Sequence, residues 1–146
     1  MKKNKPPSRK GTKTQIHNAH PSYRLKKAPF MRLAVAVLLK HKELRPVNIV
    51  FCDDSMTVSL NREFRKKSYP ADVLSFNFNE DDFLGEIYIS ADRVRSQADE
   101  YGVSFYEEAL RLTAHGLLHL CGYKHNDKKS LEKMKNLENR FIENIK

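Results

Sequence analysis

The stretch SFYEEALRLTAHGLLHLCGYKH, from Ser104 to His125, holds a helix start, an apolar stripe, a helix stop and three histidines. Ser104 and Glu107 have the S-x-x-E spacing of a capping box, which satisfies free N–H groups at a helix N-terminus. Phe105, Ala109, Leu112, Gly116 and Leu120 then recur at three- and four-residue steps, predicting a helix with one face on the core. Gly122 ends it, because glycine enters the left-handed conformation without a Cβ penalty. His115 and His119 are four apart on this helix. Four residues turn about 400°, so the two imidazoles lie within about 40° of each other and one turn apart. Two nitrogens so placed suit one ion at about 2.0–2.1 Å, and the chain turned at Gly122 brings His125 back as a third ligand.

The pattern H-x-x-x-H-x-x-G-x-x-H has the spacing of the metzincin zinc proteases. Three neutral nitrogens leave a coordination position open, as in catalytic zinc sites. The protease reading fails at one residue. The glutamate that follows the first histidine and serves as general base in those enzymes is here Gly116, which cannot move a proton. Glu107 and Glu108 lie about two turns earlier, too far to replace it. Cys121 points away from His119 on a continuing helix and is read as a packing residue.

Outward from this helix the chain reads as strands followed by helices. Phe30 to Leu44 is a helix; PVNIVFC alternates as a strand with Val47, Ile49 and Phe51 on one face. Asp54 or Ser55 caps a helix through MTVSLNREFRKK. Leu74, Phe76 and Phe78 share a face of DVLSFNF, which pairs with GEIYIS across NEDD as a hairpin. A helix from Asp92 to Tyr101 stops at Gly102, and a last helix from Asp127 carries Leu131, Met134, Leu137, Phe141 and Ile145. Strands and helices do not alternate strictly, so the class is α+β.

At 146 residues, 40% of them hydrophobic, the chain has the size and composition of one globular domain. No apolar run approaches the roughly 20 residues that span a bilayer, and no secretory signal pattern is present. Cys52 and Cys121 are too few for a disulfide framework, so a cytoplasmic location is expected. The net charge of +9 sits in residues 1–30, which hold nine Lys or Arg and no acid; residues 31–146 hold 18 basic and 18 acidic side chains. The expected organisation is a flexible basic tail over 1–13 and a single domain over 14–146. Such a tail attracts phosphate backbones, or is simply solvated. A transit peptide ranks last, for want of an amphipathic Arg/Ser pattern.

With these residues in view, the sequence resembles the YbeY family of rRNA maturation factors. His115-Gly116-Leu117-Leu118-His119-Leu120-Cys121-Gly122-Tyr123-Lys124-His125 is similar to the family's H-G-x-L-H-L-x-G-Y-D-H. LNREFR, Leu60 to Arg65, followed by PADVLSF, Pro70 to Phe76, resembles L-N-x-x-Y-R and P-T-D-V-L-S-F. LGEIYIS, Leu84 to Ser90, resembles L-G-D-I-x-I-S. The likeness runs over roughly residues 45–140, with Lys124, Ala71, Ser68 and Glu86 as departures; Lys124 removes a carboxylate beside the last histidine.

The resemblance implies an α+β fold, a small mixed sheet flanked by helices, with a metzincin-like three-histidine metal site at the end of a core helix. It implies one divalent ion, zinc, on His115, His119 and His125, with His115 and Arg65 catalytic. It also implies a single-strand-specific endoribonuclease in 16S rRNA 3′-end maturation and ribosome quality control. Arg65 would clamp a phosphate bidentately, and Arg65, Lys66 and Lys67 would bind RNA. From the residues alone, Arg65 is a surface charge beside two lysines. The small ribosomal subunit, ribosomal proteins and an assembly GTPase are the implied partners, with neither DNA nor membrane among them. Two other readings stay open: a ribosome-binding assembly factor with a mainly structural metal, and a small metallohydrolase on another substrate.

Overall fold

A computed structural model describes residues 13–146. The expected basic tail falls, but for its last residue, outside them. A four-stranded sheet is built from β1 (Gln15–Asn18), β2 (Val47–Cys52), β3 (Val73–Glu80) and β4 (Phe83–Ser90) in the order β1-β2-β4-β3. β1 and β4 both pair with β2 in parallel, whereas β3 pairs with β4 as an antiparallel hairpin. The sheet is therefore small and mixed. Among the described residues, five helices complete the fold: α1 (Ala28–Lys40), α2 (Asp54–Arg65), α3 (Ala91–Tyr101), α4 (Phe105–Leu120) and α5 (Lys128–Asn144).

The two faces of the sheet follow from strand alternation. Val47, Ile49 and Phe51 of β2 lie opposite Gly85, Ile87 and Ile89 of β4, and this face packs on α1 and α4 in the main core. Cys52, Tyr88 and Leu74 belong to the other face, where Leu60 of α2 closes a smaller cluster. α4 is the central helix. Ala109, Leu112, Ala114, Leu117, Leu118 and Leu120 are all buried, so the expected single stripe underestimates it. A close approach makes this possible: a Cβ on Gly85 would come within 3.0 Å of Leu120 Cδ2 and 2.3 Å of the Phe76 carbonyl oxygen.

Several boundaries differ from the sequence reading. α1 stops at Lys40 rather than Leu44, because Lys42 takes a left-handed φ of 55° and turns the chain toward β2. The cap of α2 is Asp53, which accepts from the Met56 amide at 2.9 Å. Asp54 instead accepts from Ser90 Oγ and pairs with Arg93, tying α2 to the start of α3. α2 ends at Arg65, since Lys66 adopts φ 56°. Leu74 and Phe76 do share the α2 face, but a register shift after Asn77 sends Phe78 elsewhere, edge-on to Phe83.

Candidate active site

α4 carries the predicted cap: Ser104 accepts from the Glu107 amide, and Gly122, at φ 101°, turns the chain after Cys121. The Tyr123 amide then donates to the Leu118 carbonyl, closing the turn. This turn delivers His125 to the two helical histidines. His119 Nε2 lies 3.1 Å from His115 Nε2 and 2.9 Å from His125 Nδ1. Two ligands at 2.0–2.1 Å from a tetrahedral ion would be about 3.3–3.4 Å apart, close to these separations.

The donor set itself fits a cation. His115 Nδ1 contacts a carboxylate oxygen of Glu138 at 2.7 Å, and with that carboxylate ionised the ring proton lies on Nδ1, leaving a bare lone pair on Nε2. His119 Nε2 has one in-plane valence, a lone pair or an N–H, so it can make a well-aligned hydrogen bond to only one of the two ring nitrogens that face it, whereas a cation between the three would engage them all. His119 is held neutral: burial, then the nearby His115 and His125, push its pKa down to about 4. His115, His119 and His125 thus form the three-histidine site that the sequence predicts. Cys121 stays out of it, half-buried against the core, with burial pushing its thiol up to about 11.

These histidines open into a cleft of about 690 Å³ whose far wall is β3 and the end of α2. Because Val73, Ser75 and Asn77 alternate on the α4 side of β3, all three line it. Arg65, the last residue of α2, reaches over this edge. Its Nη2 donates to the Ser75 carbonyl at 3.2 Å and its guanidinium lies 5.9 Å from the Phe76 ring centroid. The structure therefore brings Arg65 and the histidines to one cleft. Lys66 and Lys67 are exposed beyond the helix end and do not line it; Lys67 lies over the Tyr69 ring instead.

Gly116 has a packing reason. A Cβ there would sit 2.7 Å from Ile87 Cγ2 and 3.2 Å from Ser75 Oγ, so no side chain fits where a zinc peptidase places its base. Glu138 and Arg111 escaped the sequence reading. Arg111 lies one turn before His115, lines the cleft, and grips buried Glu108 at 2.9 and 2.7 Å. The available signal was an acid at a core position, since Glu138 falls between Met134 and Phe141 on the buried side of α5.

Three convergent imidazoles at the end of a core helix, facing an arginine across a cleft, define an α+β protein with a candidate three-histidine metal site. The family model described as Endoribonuclease YbeY matches residues 13–146. A Phytoplasma australiense protein named Endoribonuclease YbeY is 36% identical over 140 residues, covering 91% of this chain and 95% of its own. A Flavobacterium psychrophilum protein of the same name is 40% identical over 89 residues, 60% of this chain and 64% of its own. A solution structure of a Thermotoga maritima protein superposes with TM-score 0.68 at 26% identity, covering 90% of this chain and 89% of that one. The chain belongs to the endoribonuclease YbeY family.

Proposed function

We propose that this protein is a metal-dependent endoribonuclease that cleaves single-stranded rRNA, with zinc on His115, His119 and His125. The observation that carries the reading is the meeting of three imidazole nitrogens with the Arg65 guanidinium in one cleft. An ion in that site would supply Lewis acidity toward a phosphoryl group and acidify water. The three imidazoles would hold it through their ring nitrogens. Arg65 binds the scissile phosphate and offsets the charge that grows in the transition state. Ser75 and Asn77 offer the cleft hydrogen-bonding groups on the β3 wall. Lys66 and Lys67 extend the basic track past the end of α2, where they attract the backbone without reading sequence.

Family membership supports 16S rRNA 3′-end maturation and ribosome quality control as the setting. The small subunit, ribosomal proteins and an assembly GTPase would be the partners, and the cytoplasm the place. No helix among the described residues is long and apolar enough to cross a membrane.

The test is cleavage of a single-stranded rRNA-like oligonucleotide by RNase-free protein of known metal content, beside a chelated sample, His115→Ala and Arg65→Ala. Loss of cleavage in all three supports the reading; cleavage that persists in the variants assigns it to a contaminant. A fully metallated wild type that cuts neither free RNA nor ribosome-bound rRNA would overturn the nuclease and favour an assembly factor. A DNA strand of the same sequence separates the nucleophiles, because attack by the 2′-hydroxyl requires RNA.

A further inference from the structure

The proposed chemistry leaves without a task the buried carboxylate that touches the histidines. Glu138 is only 1% exposed, on the α5 face that carries Met134 and Phe141. A carboxylate taken out of water costs several kcal/mol unless it is paired and hydrogen-bonded, and a leucine would pack in its place without that cost. Glu138 has a partner in His115 Nδ1 at 2.7 Å. Its charge also reaches Arg111, whose guanidinium is fixed by two hydrogen bonds to Glu108, itself 2% exposed. A line of groups, Glu108, Arg111, Glu138 and His115, thus runs beneath the cleft from the first turn of α4 to the metal-facing nitrogens.

We propose that Glu138 is a positioning residue of the metal centre. It holds His115 as the Nδ1–H tautomer, so that the Nε2 lone pair points at the position shared with His119 and His125. It also links the seating of α5 to metal loading. A histidine whose second nitrogen donates to a carboxylate is oriented and made a stronger donor. This rests on the three-histidine reading of the site, and not on RNA being its substrate. The family's aspartate beside the last histidine is here Lys124, which is exposed; Glu138 acts from α5 on a different histidine, His115.

The experiment uses the full chain stripped of metal, with zinc affinity measured by competition against a coloured chelator. Ring-nitrogen chemical shifts of His115 in the metal-free protein report its tautomer. Glu138→Leu is expected to keep native circular dichroism, to lose about 10–100-fold in zinc affinity, and to show a mixture of His115 tautomers. Glu138→Gln, which keeps an acceptor oxygen but not the charge, should hold the tautomer and fall between wild type and Glu138→Leu in affinity. Zinc should slow amide exchange in α5 of the wild type more than in Glu138→Leu. Unchanged zinc affinity and tautomer in a folded Glu138→Leu would overturn the proposal and leave Glu138 a packing residue. Should Glu138→Leu fail to fold, Glu138→Gln decides alone: weakened zinc binding supports the role, wild-type affinity refutes it. RNA cleavage by the same samples is read separately. Variants that cleave and bind zinc normally discard the positioning role only; weakened zinc binding beside a wild type that never cleaves discards the nuclease only.

Discussion

Ile87 Cγ2 and Ser75 Oγ crowd the position where Gly116 would carry a Cβ, and this sets the outcome of the simplest substitution there. Gly116→Ala gains about 1 kcal/mol in helix propensity but pushes a methyl into a β-branched, fully buried neighbour, which costs about 1–3 kcal/mol. Thermal melts should show a net loss. Gly116→Glu should lower the melting temperature further and create no peptidase activity. Arg65 is the reverse case, exposed and outside the core. Arg65→Ala should leave the fold and bound metal intact while removing most RNA cleavage; normal cleavage would strip it of its role. A third residue acts through pH. Glu86 is 2% exposed and accepts from Tyr88 Oη at 3.1 Å, and burial pushes its pKa up to about 7. In the unfolded chain it ionises near its ordinary value, so stability is full below about 4.5. It falls as pH rises from about 4.5 through 7, by on the order of 3 kcal/mol. Glu86→Gln should flatten that slope in melts taken from pH 4 to 8 (roughly the span between the two pKa values, widened on either side).

Among the elements, legibility tracked how local each signal was. The hairpin of β3 and β4 and the helix α4 announced themselves through alternation, a cap and a stop, and both stand where expected. β1 carries no strand signal of its own. Gln15–Asn18 is four residues long with only Ile16 buried, and it is a strand because it pairs in parallel with β2, a partner some thirty residues away. The end of α1 was placed too late because nothing in the residue type of Lys42 signals a positive φ. Histidine spacing pointed to the three imidazoles that meet in the cleft, while Glu138 stayed hidden because α5 had to be packed against α4 before its acid found His115. The cap of α4 offers a direct check. Ser104→Ala removes the acceptor for the Glu107 amide and should cost about 1 kcal/mol by chemical denaturation; an unchanged midpoint would mean another group satisfies that amide.

For the molecule as a whole, a bound ion adds stability by mass action. Zinc at 100 times its Kd would contribute about 2.7 kcal/mol, or roughly 5–11 °C in melting temperature for a chain of this size. Calorimetry with and without a chelator should recover that difference, and His115→Ala should abolish it. The site also has an order of assembly written into it. His115, His119, His125 and Glu138 all fall between positions 115 and 138, on one helix, one turn and the next helix. Arg65 and Ser75 come from far upstream and reach the cleft only when α2 and the hairpin dock on the sheet. Closing a short loop is entropically cheaper and faster than closing a long one. The expected order in refolding is therefore zinc capture by the carboxy-terminal helix pair before the arginine wall forms. Stopped-flow mixing with a zinc indicator, run beside quenched-flow cleavage, would register that interval as a lag between the two signals.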